Sequence, residues 1–369
     1  KTNRLPKPRK KKTSEKKQHR VYVTYFPDQR YYIGYSGKTE KLFEKYYGSS
    51  KLVTEYNKVK DKKDDLAAAI YGAVKDEVST LSFPNVPAPK KDRRTKGEEV
   101  AVAVLADWQL AKITPDYDSS ICEERIQKFA EKVVHLTNIQ RENHPVKKLH
   151  VWALGDIVEG ELIFPGQSFL IDGGLYRQVT VDGPRIMATF LRTMLENFDS
   201  VHVSGVIGNH GAIGGRARKD HDPETNADRM LYRIISLMFE SEPRITFDIP
   251  DGRGERNWYT VDRIGNYSCL LCHGDQFRSF GSFYPFQKKI YGWKVGAVKE
   301  DFQDVFCGHW HTPTKMTFNT VQCRVAGSPE STNTYAMESL AAIGRPSQHL
   351  QFVHPENGMV TAEYTCWLD

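Results

Sequence analysis

Five short apolar runs in this chain each end in residues able to hold a metal ion or a proton. Val100–Ala106 leads into Asp107-Trp108-Gln109, and Leu149–Leu154 into Gly155-Asp156-Ile157-Val158-Glu159-Gly160. Val201–Ile207 leads into Gly208-Asn209-His210-Gly211, Tyr267–Cys272 into His273-Gly274-Asp275, and Asp304–Cys307 into Gly308-His309-Trp310-His311. Continuous apolar runs of this length suit strands buried on both faces. Helical patterns fall between them, over 120–142, 184–197 and 225–239. Strands alternating with helices predict an α/β layered fold, in which ligand-bearing residues gather outside the carboxyl ends of the strands. The glycines suit exits where the backbone turns sharply beside a ligand. One Asn-His or Gly-Asp pair is an ordinary loop, and one buried histidine is an ordinary core residue. Five strand ends delivering Asp, Asp, Asn-His, His and His-x-His describe one crevice.

The order D-x-[H/Q], GDxxxG, GNH, H and GHxH resembles the calcineurin-like metallophosphoesterase superfamily over about 98–330. It is most similar to phage-encoded members and to the double-strand-break repair nucleases of that superfamily. The resemblance implies a sandwich of β-sheets flanked by helices over 98–369. It implies one metal site formed by Asp107, Gln109, Asp156 and His311, and a second formed by Asp156, Asn209, His273 and His309. Asp156 would bridge the two ions, a bridging hydroxide would attack, and His210 would be the catalytic histidine. Oxygen and imidazole ligands suit divalent Mn, the favoured ion, with Fe, Zn or Ni as alternatives. Two ions about 3.5–4 Å apart can clamp a phosphoryl group for in-line displacement. The family usually carries His where this chain has Gln109. A neutral amide oxygen is a poorer ligand for borderline metals than imidazole, so the first site is expected to be the weaker one.

Charge is concentrated ahead of this region. The formal net charge is +6, yet residues 1–20 hold ten basic residues and one acid, Glu15, and Lys90–Lys96 (KKDRRTK) adds a second cluster. The rest of the chain is slightly acidic. Residues 1–19 read as a disordered basic tail, either a solubilising segment or an electrostatic arm for nucleic acid. Residues 20–82 read as a small α+β module: a hairpin over Arg20–Phe26 and Arg30–Tyr35, then helices over 40–59 and 64–80. Val21-Tyr22-Val23, Tyr31-Tyr32-Ile33-Gly34 and Tyr46-Tyr47-Gly48 resemble the opening half of GIY-YIG nuclease domains. The usual catalytic arginine is absent, with Lys41 and Lys45 nearby instead. The resemblance therefore implies an inactive module retained for DNA binding, and a small interaction domain is the alternative. A Pro-rich basic linker is expected over 83–97.

Two further segments bear on the substrate. Arg216, Arg218 and Lys219, just after His210, could hold phosphates or could form a solvated loop. Aromatic and basic residues alternate from Phe277 to Lys294, a pattern that serves base stacking or, more commonly, core packing. No apolar run approaches the roughly 20 residues that span a bilayer, and no secretory pattern opens the chain. The six cysteines lie scattered in apolar segments, as buried thiols do in a reducing cytoplasm, or in the host cytoplasm if the chain is phage-encoded. Three functions remain open: a DNA nuclease, a phosphatase or small-substrate phosphodiesterase, and a non-catalytic DNA-binding or assembly protein with a weakened metal site. The first has DNA as partner, with a second copy of the chain or a phage or repair protein left open.

Overall fold

All seven residues of the strand Glu99–Leu105 are buried, and so are all six of Tyr267–Cys272. Such strands need cover on both faces, and the computed structural model supplies it with four layers, helix on sheet on sheet on helix. It describes residues 20–25, 31–36, 72, 86–213, 223–250, 257–278, 282–333, 337–338 and 343–369. The chain forms two compact units, Lys1–Lys62 and Lys63–Asp369.

In the first unit, β1 (Arg20–Tyr25) pairs antiparallel with β2 (Tyr31–Ser36), Arg20 opposite Ser36 and Tyr25 opposite Tyr31. The helices expected over 40–59 and 64–80, and the Tyr46-Tyr47-Gly48 segment, lie outside the described residues, apart from Gly72.

The second unit holds two sheets. One has six strands in the order β13 (Met359–Trp367), β12 (Ser347–His354), β3 (Glu99–Leu105), β4 (Val146–Ala153), β5 (Ser200–Gly205) and β6 (Ile245–Asp248). β3 to β6 run parallel, and β12 pairs antiparallel with both β3 and β13. The other sheet has five strands in the order β10 (Thr314–Phe318), β11 (Val321–Val325), β9 (Asp304–Cys307), β8 (Tyr267–Cys272) and β7 (Tyr259–Ile264). The layer between the sheets is closed by Val102, Val104, Trp152, Leu154, Leu271 and Phe306. Three helices cover the outer face of the first sheet: α1 (Ser119–Arg141), α2 (Gly183–Asn197) and α3 (Ala227–Met238). A fourth, α4 (Phe283–Gly292), covers the second sheet. α1 starts where the Asp118 carboxylate caps the amides of Ser120 and Ile121.

The expected linker over 83–97 is anchored at Val86. Val86 is buried in the helix-covered core, and its carbonyl accepts from Arg244 Nη2 at 2.9 Å. From Phe277 to Trp293, packing dominates. Phe277 stacks on Phe286 at 4.2 Å and meets Trp293 at 5.4 Å, while Phe283 and Tyr284 stay exposed. Cys269 and Cys272 both lie on β8. Three residues apart on a strand, they point to opposite faces, Cys269 into the inter-sheet layer and Cys272 under α4. All six thiols are buried and free. Burial pushes those of Cys122 and Cys366 up to about 12. No helix among the described residues is long and apolar enough to cross a membrane.

Candidate metal centre

β3, β4, β5, β8 and β9 all end on the same side, and the loops that leave them are lashed together by backbone hydrogen bonds. Asp107 N donates to Gly155 O at 3.1 Å, Gln109 N to Asp156 O at 3.0 Å, and Gly308 N to His273 O at 2.7 Å. Asp228, in the first turn of α3, clamps two of these loops. Its carboxylate accepts the amides of Asp156, Ile157, Val158 and Gly208 at 2.8–3.2 Å. Asn226 caps the same helix and donates to Gly208 O. A second clamp is the buried Gln348, whose side chain takes the Ala106 amide and returns a bond to the Ala106 carbonyl.

The backbone turns hard at the exits. Asp107, Gln109, Asp156, His309 and His311 all have positive φ, between 49° and 68°. A non-glycine residue in this region costs on the order of 1–2 kcal/mol. Such strain persists where surrounding contacts over-determine it, as at functional sites. Here it throws each side chain inward as the chain doubles back. Glycine is required beneath two carboxylates. A Cβ at Gly208 would lie 2.1 Å from Asp156 Oδ1, and one at Gly308 would lie 2.4 Å from Asp107 Oδ2.

Asp107, Gln109, Asp156, Asn209, His273, His309 and His311 are thereby brought together. Asp156 Oδ1 is taken by the His210 amide at 2.7 Å. Its Oδ2 lies 3.0 Å from His273 Nε2 and 3.3 Å from Gln109 Nε2. His273 Nε2 is also 3.2 Å from Asn209 Oδ1 and 3.2 Å from His309 Nδ1. Leu154 O, at 2.8 Å, holds Nδ1 of the same ring. Asp107 receives the His309 amide on both oxygens at 2.9 Å, and its Oδ1 is 3.5 Å from His311 Nε2. Asp156, His273 and His309 each offer a donor atom within 4.8 Å of the others. Arg216, Arg218 and Lys219 lie outside the described residues.

Crowded donors divide their protons unequally. Burial pushes Asp156 up, but the charges of His273 and His210 outweigh it and hold the carboxyl below its usual range. Burial pushes His273 down, but Asp156 outweighs it and raises the ring to about 10. His309 falls to about 3 through burial and the charge of His273. His311 rises to about 10, the Asp107 carboxylate overcoming burial. His273 is thus a cation wedged among oxygen acceptors, with a neutral imidazole facing it.

The donor set fits divalent cations. It offers carboxylate, amide-oxygen and imidazole donors with no thiolate, the mixture that suits borderline first-row metals. Gln109 Oε1 is buried with no hydrogen-bond partner among the described residues. An unpaired buried acceptor is unfavourable by about 1–3 kcal/mol, and a cation would relieve it.

Three residues of this centre, Glu330, Lys112 and Asp228, follow no strand-end pattern in the sequence, and a fourth, Glu159, lies inside one without a role read from it. Glu330 receives His311 Nδ1 at 3.1 Å and Lys112 Nζ at 2.6 Å. Glu159 receives His210 Nδ1, at 3.0 Å on its carbonyl and 3.2 Å on its carboxylate. Asp228 looks in the sequence like an ordinary first-turn helix acid. The GDxxxG element contains Glu159, which is the one signal that could have drawn attention to it. Burial lowers His210, but Glu159 and Asp156 outweigh it and raise the ring to about 9.

No family model matches the chain, and no curated protein sequence matches it. Solved structures give weak likenesses. One is an archaeal phosphodiesterase at 11% identity, covering 72% of this chain and 99% of that one, with a TM-score of 0.32. A hypothetical protein from Pyrococcus horikoshii OT3 is 14% identical over 73% of this chain and 89% of its own, with a TM-score of 0.36. Wild-type Vps29 from Entamoeba histolytica, complexed with zinc, is 14% identical over 72% and 98%, with a TM-score of 0.29. Identities and TM-scores this low leave the chemistry to be read from the chain's own residues.

Proposed function

We propose that the chain is a metal-dependent phosphodiesterase of the calcineurin-like metallophosphoesterase superfamily and that its substrate is DNA. The observation that carries this reading is Asp156, whose Oδ2 lies within reach of both Gln109 and His273 while Oδ1 is occupied by a backbone amide. Asp156 thus stands between the two sets of donors and would serve both. Asp107, Gln109, Asp156 and His311 would hold one ion, and Asp156, Asn209, His273 and His309 the other. Divalent ions bound there supply Lewis acidity at a phosphoryl oxygen and a nucleophile at neutral pH.

His210 does the proton work. Its Nδ1 is engaged by Glu159, so its Nε2 is the atom left for substrate. Charged at neutral pH, the ring presents an Nε2–H that can stabilise negative charge on the phosphoryl group or protonate the departing ester oxygen. Glu159 both orients the ring and keeps it charged. Glu330 plays the matching orienting part for His311, through Nδ1.

Support for DNA is electrostatic. Lys90, Lys91, Arg93, Arg94 and Lys96 are exposed, and they follow the ten basic residues of positions 1–20. Lysine and arginine clusters of this kind bind phosphodiester backbones in a salt-dependent manner. The N-terminal module, with its likeness to half of a GIY-YIG domain, would hold DNA without cutting it. Purified protein with Mn²⁺ should degrade linear or single-stranded DNA. Turnover of p-nitrophenyl phosphate with DNA left intact would replace DNA by a small phosphoester.

Gln109 favours a second reading, because a neutral amide weakens one ligand set. In that case the protein binds DNA without cutting it, and metal analysis would find no bound or recruitable transition metal.

A further inference from the structure

Away from the strand ends, three side chains from three strands converge at the margin of the inter-sheet layer. His150 on β4 and His202 on β5 are register partners on adjacent parallel strands, with ring centroids 5.0 Å apart. Asp262 on β7, in the other sheet, reaches across to both. Its Oδ2 lies 2.6 Å from His150 Nδ1, and its Oδ1 lies 3.8 Å from His202 Nε2. We propose that His150, His202 and Asp262 form a second, separate binding site for a zinc-like divalent transition metal.

The three residues each offer a donor atom within 4.8 Å of the others. Two imidazoles and one carboxylate make an ordinary three-ligand set for zinc, leaving a fourth position for water. Zinc–ligand bonds of about 2.0–2.2 Å put tetrahedral donors roughly 3.3–3.6 Å apart, so a modest turn of His202 closes its 3.8 Å gap while the 2.6 Å His150–Asp262 hydrogen bond opens to admit the ion. The supporting contacts are those that orient metal ligands. Thr246 Oγ1 lies 2.8 Å from His202 Nδ1, and Trp152 Nε1 donates to Asp262 Oδ2 at 2.5 Å. Held through Nδ1 by Thr246, His202 leaves its Nε2 facing Asp262 Oδ1 at 3.8 Å, beyond hydrogen-bond distance. A cation between them would take both atoms as ligands. Asp262 is 4% exposed while His150 and His202 are 15% and 30% exposed, so the anchor is buried and the approach is open. The site is distinct from the strand-end centre. His150 precedes Leu154, whose carbonyl holds His273, by four residues, roughly 13 Å along the strand.

Zinc stoichiometry tests this on the full chain, stripped with chelator and dialysed against Zn²⁺. His202→Ala should lose one equivalent of zinc relative to wild type while hydrolysing phosphodiesters at the wild-type rate. Equal stoichiometry in a folded His202→Ala protein would overturn the proposal and leave an ion-free hydrogen-bonded triad. An independent arm uses Asp156→Asn, which weakens only the strand-end centre. Loaded with Co²⁺, it should show visible bands of a low-coordinate His-carboxylate site, and His202→Gln in that background should remove them. Bands that persist in the double variant, or that never appear in Asp156→Asn, would also overturn it. Neither the zinc count nor the Co²⁺ bands depend on whether the strand-end centre is catalytic.

Discussion

His273 Nε2 and Asp156 Oδ2 lie 3.0 Å apart with both side chains buried. The Asp156 carboxylate raises the ring to about 10, so in the metal-free protein a proton occupies the position where a divalent ion would bind. Much of the behaviour expected of this centre follows from that exchange of proton for metal.

Metal binding should release protons. His273 and His311, both raised to about 10, are charged at neutral pH, and only neutral imidazole ligates. Because the bound form carries fewer protons, affinity rises with pH and is weakest in acid. Calorimetry of Mn²⁺ binding in buffers of different ionisation enthalpy should show release of roughly one to two protons near pH 7. No buffer dependence would mean that these rings do not ligate.

Gln109→His should strengthen the weaker half of the centre. Gln109 Nε2 is 3.3 Å from Asp156 Oδ2, and its Oε1 has no hydrogen-bond partner among the described residues. An imidazole there should lower the Mn²⁺ concentration for half-maximal activity roughly tenfold, a gain of about 1.4 kcal/mol. An unchanged Mn²⁺ titration would show that position 109 does not contact an ion.

Glu330→Gln tests an orienting role. The carboxylate receives His311 Nδ1 and is held at about 2, with burial outweighed by His311 and Lys112. Removing it should weaken metal binding by about 10–100-fold while leaving the affinity for DNA in the absence of metal unaltered. Wild-type metal affinity in this variant would confine Glu330 to packing.

Gly208→Ala should be disruptive although it adds one methyl group. The new Cβ would meet Asp156 Oδ1 at 2.1 Å and Asp156 N at 2.2 Å. Overpacking of this kind destabilises by about 1–3 kcal/mol. Denaturant unfolding should show that loss together with lowered metal content. A variant as stable as wild type would mean that the loops are not packed as tightly as they stand here.

The sequence made the strand-end crevice legible because β3, β8 and β9 are covered on both faces and so read as unbroken apolar runs. The helices α1, α2 and α3 were readable for a similar reason, since each has one apolar face turned to the sheet. β12 and β13 were not legible. β12 buries Gln348 and Gln351 among its apolar residues, and β13 is mostly half-exposed. Tertiary contacts, not periodicity, make them strands. Glu330 and Asp228 were hidden for another reason. Glu330 sits in a loop far along the chain from its partner Lys112, and Asp228 resembles any acid that opens a helix. The positive φ angles at five of the ligand-type residues leave no trace in composition, because Asp, Gln and His carry no glycine signature.

The most direct test is Mn²⁺-dependent hydrolysis of bis(p-nitrophenyl) phosphate by the full chain and by Asp156→Asn. Wild type should turn the diester over, lose activity to chelator and regain it with Mn²⁺, while Asp156→Asn should be inactive yet folded. Failure of wild type with Mn²⁺, Fe²⁺, Zn²⁺ and Ni²⁺ alike, or undiminished turnover by Asp156→Asn, would contradict a metal centre built around Asp156.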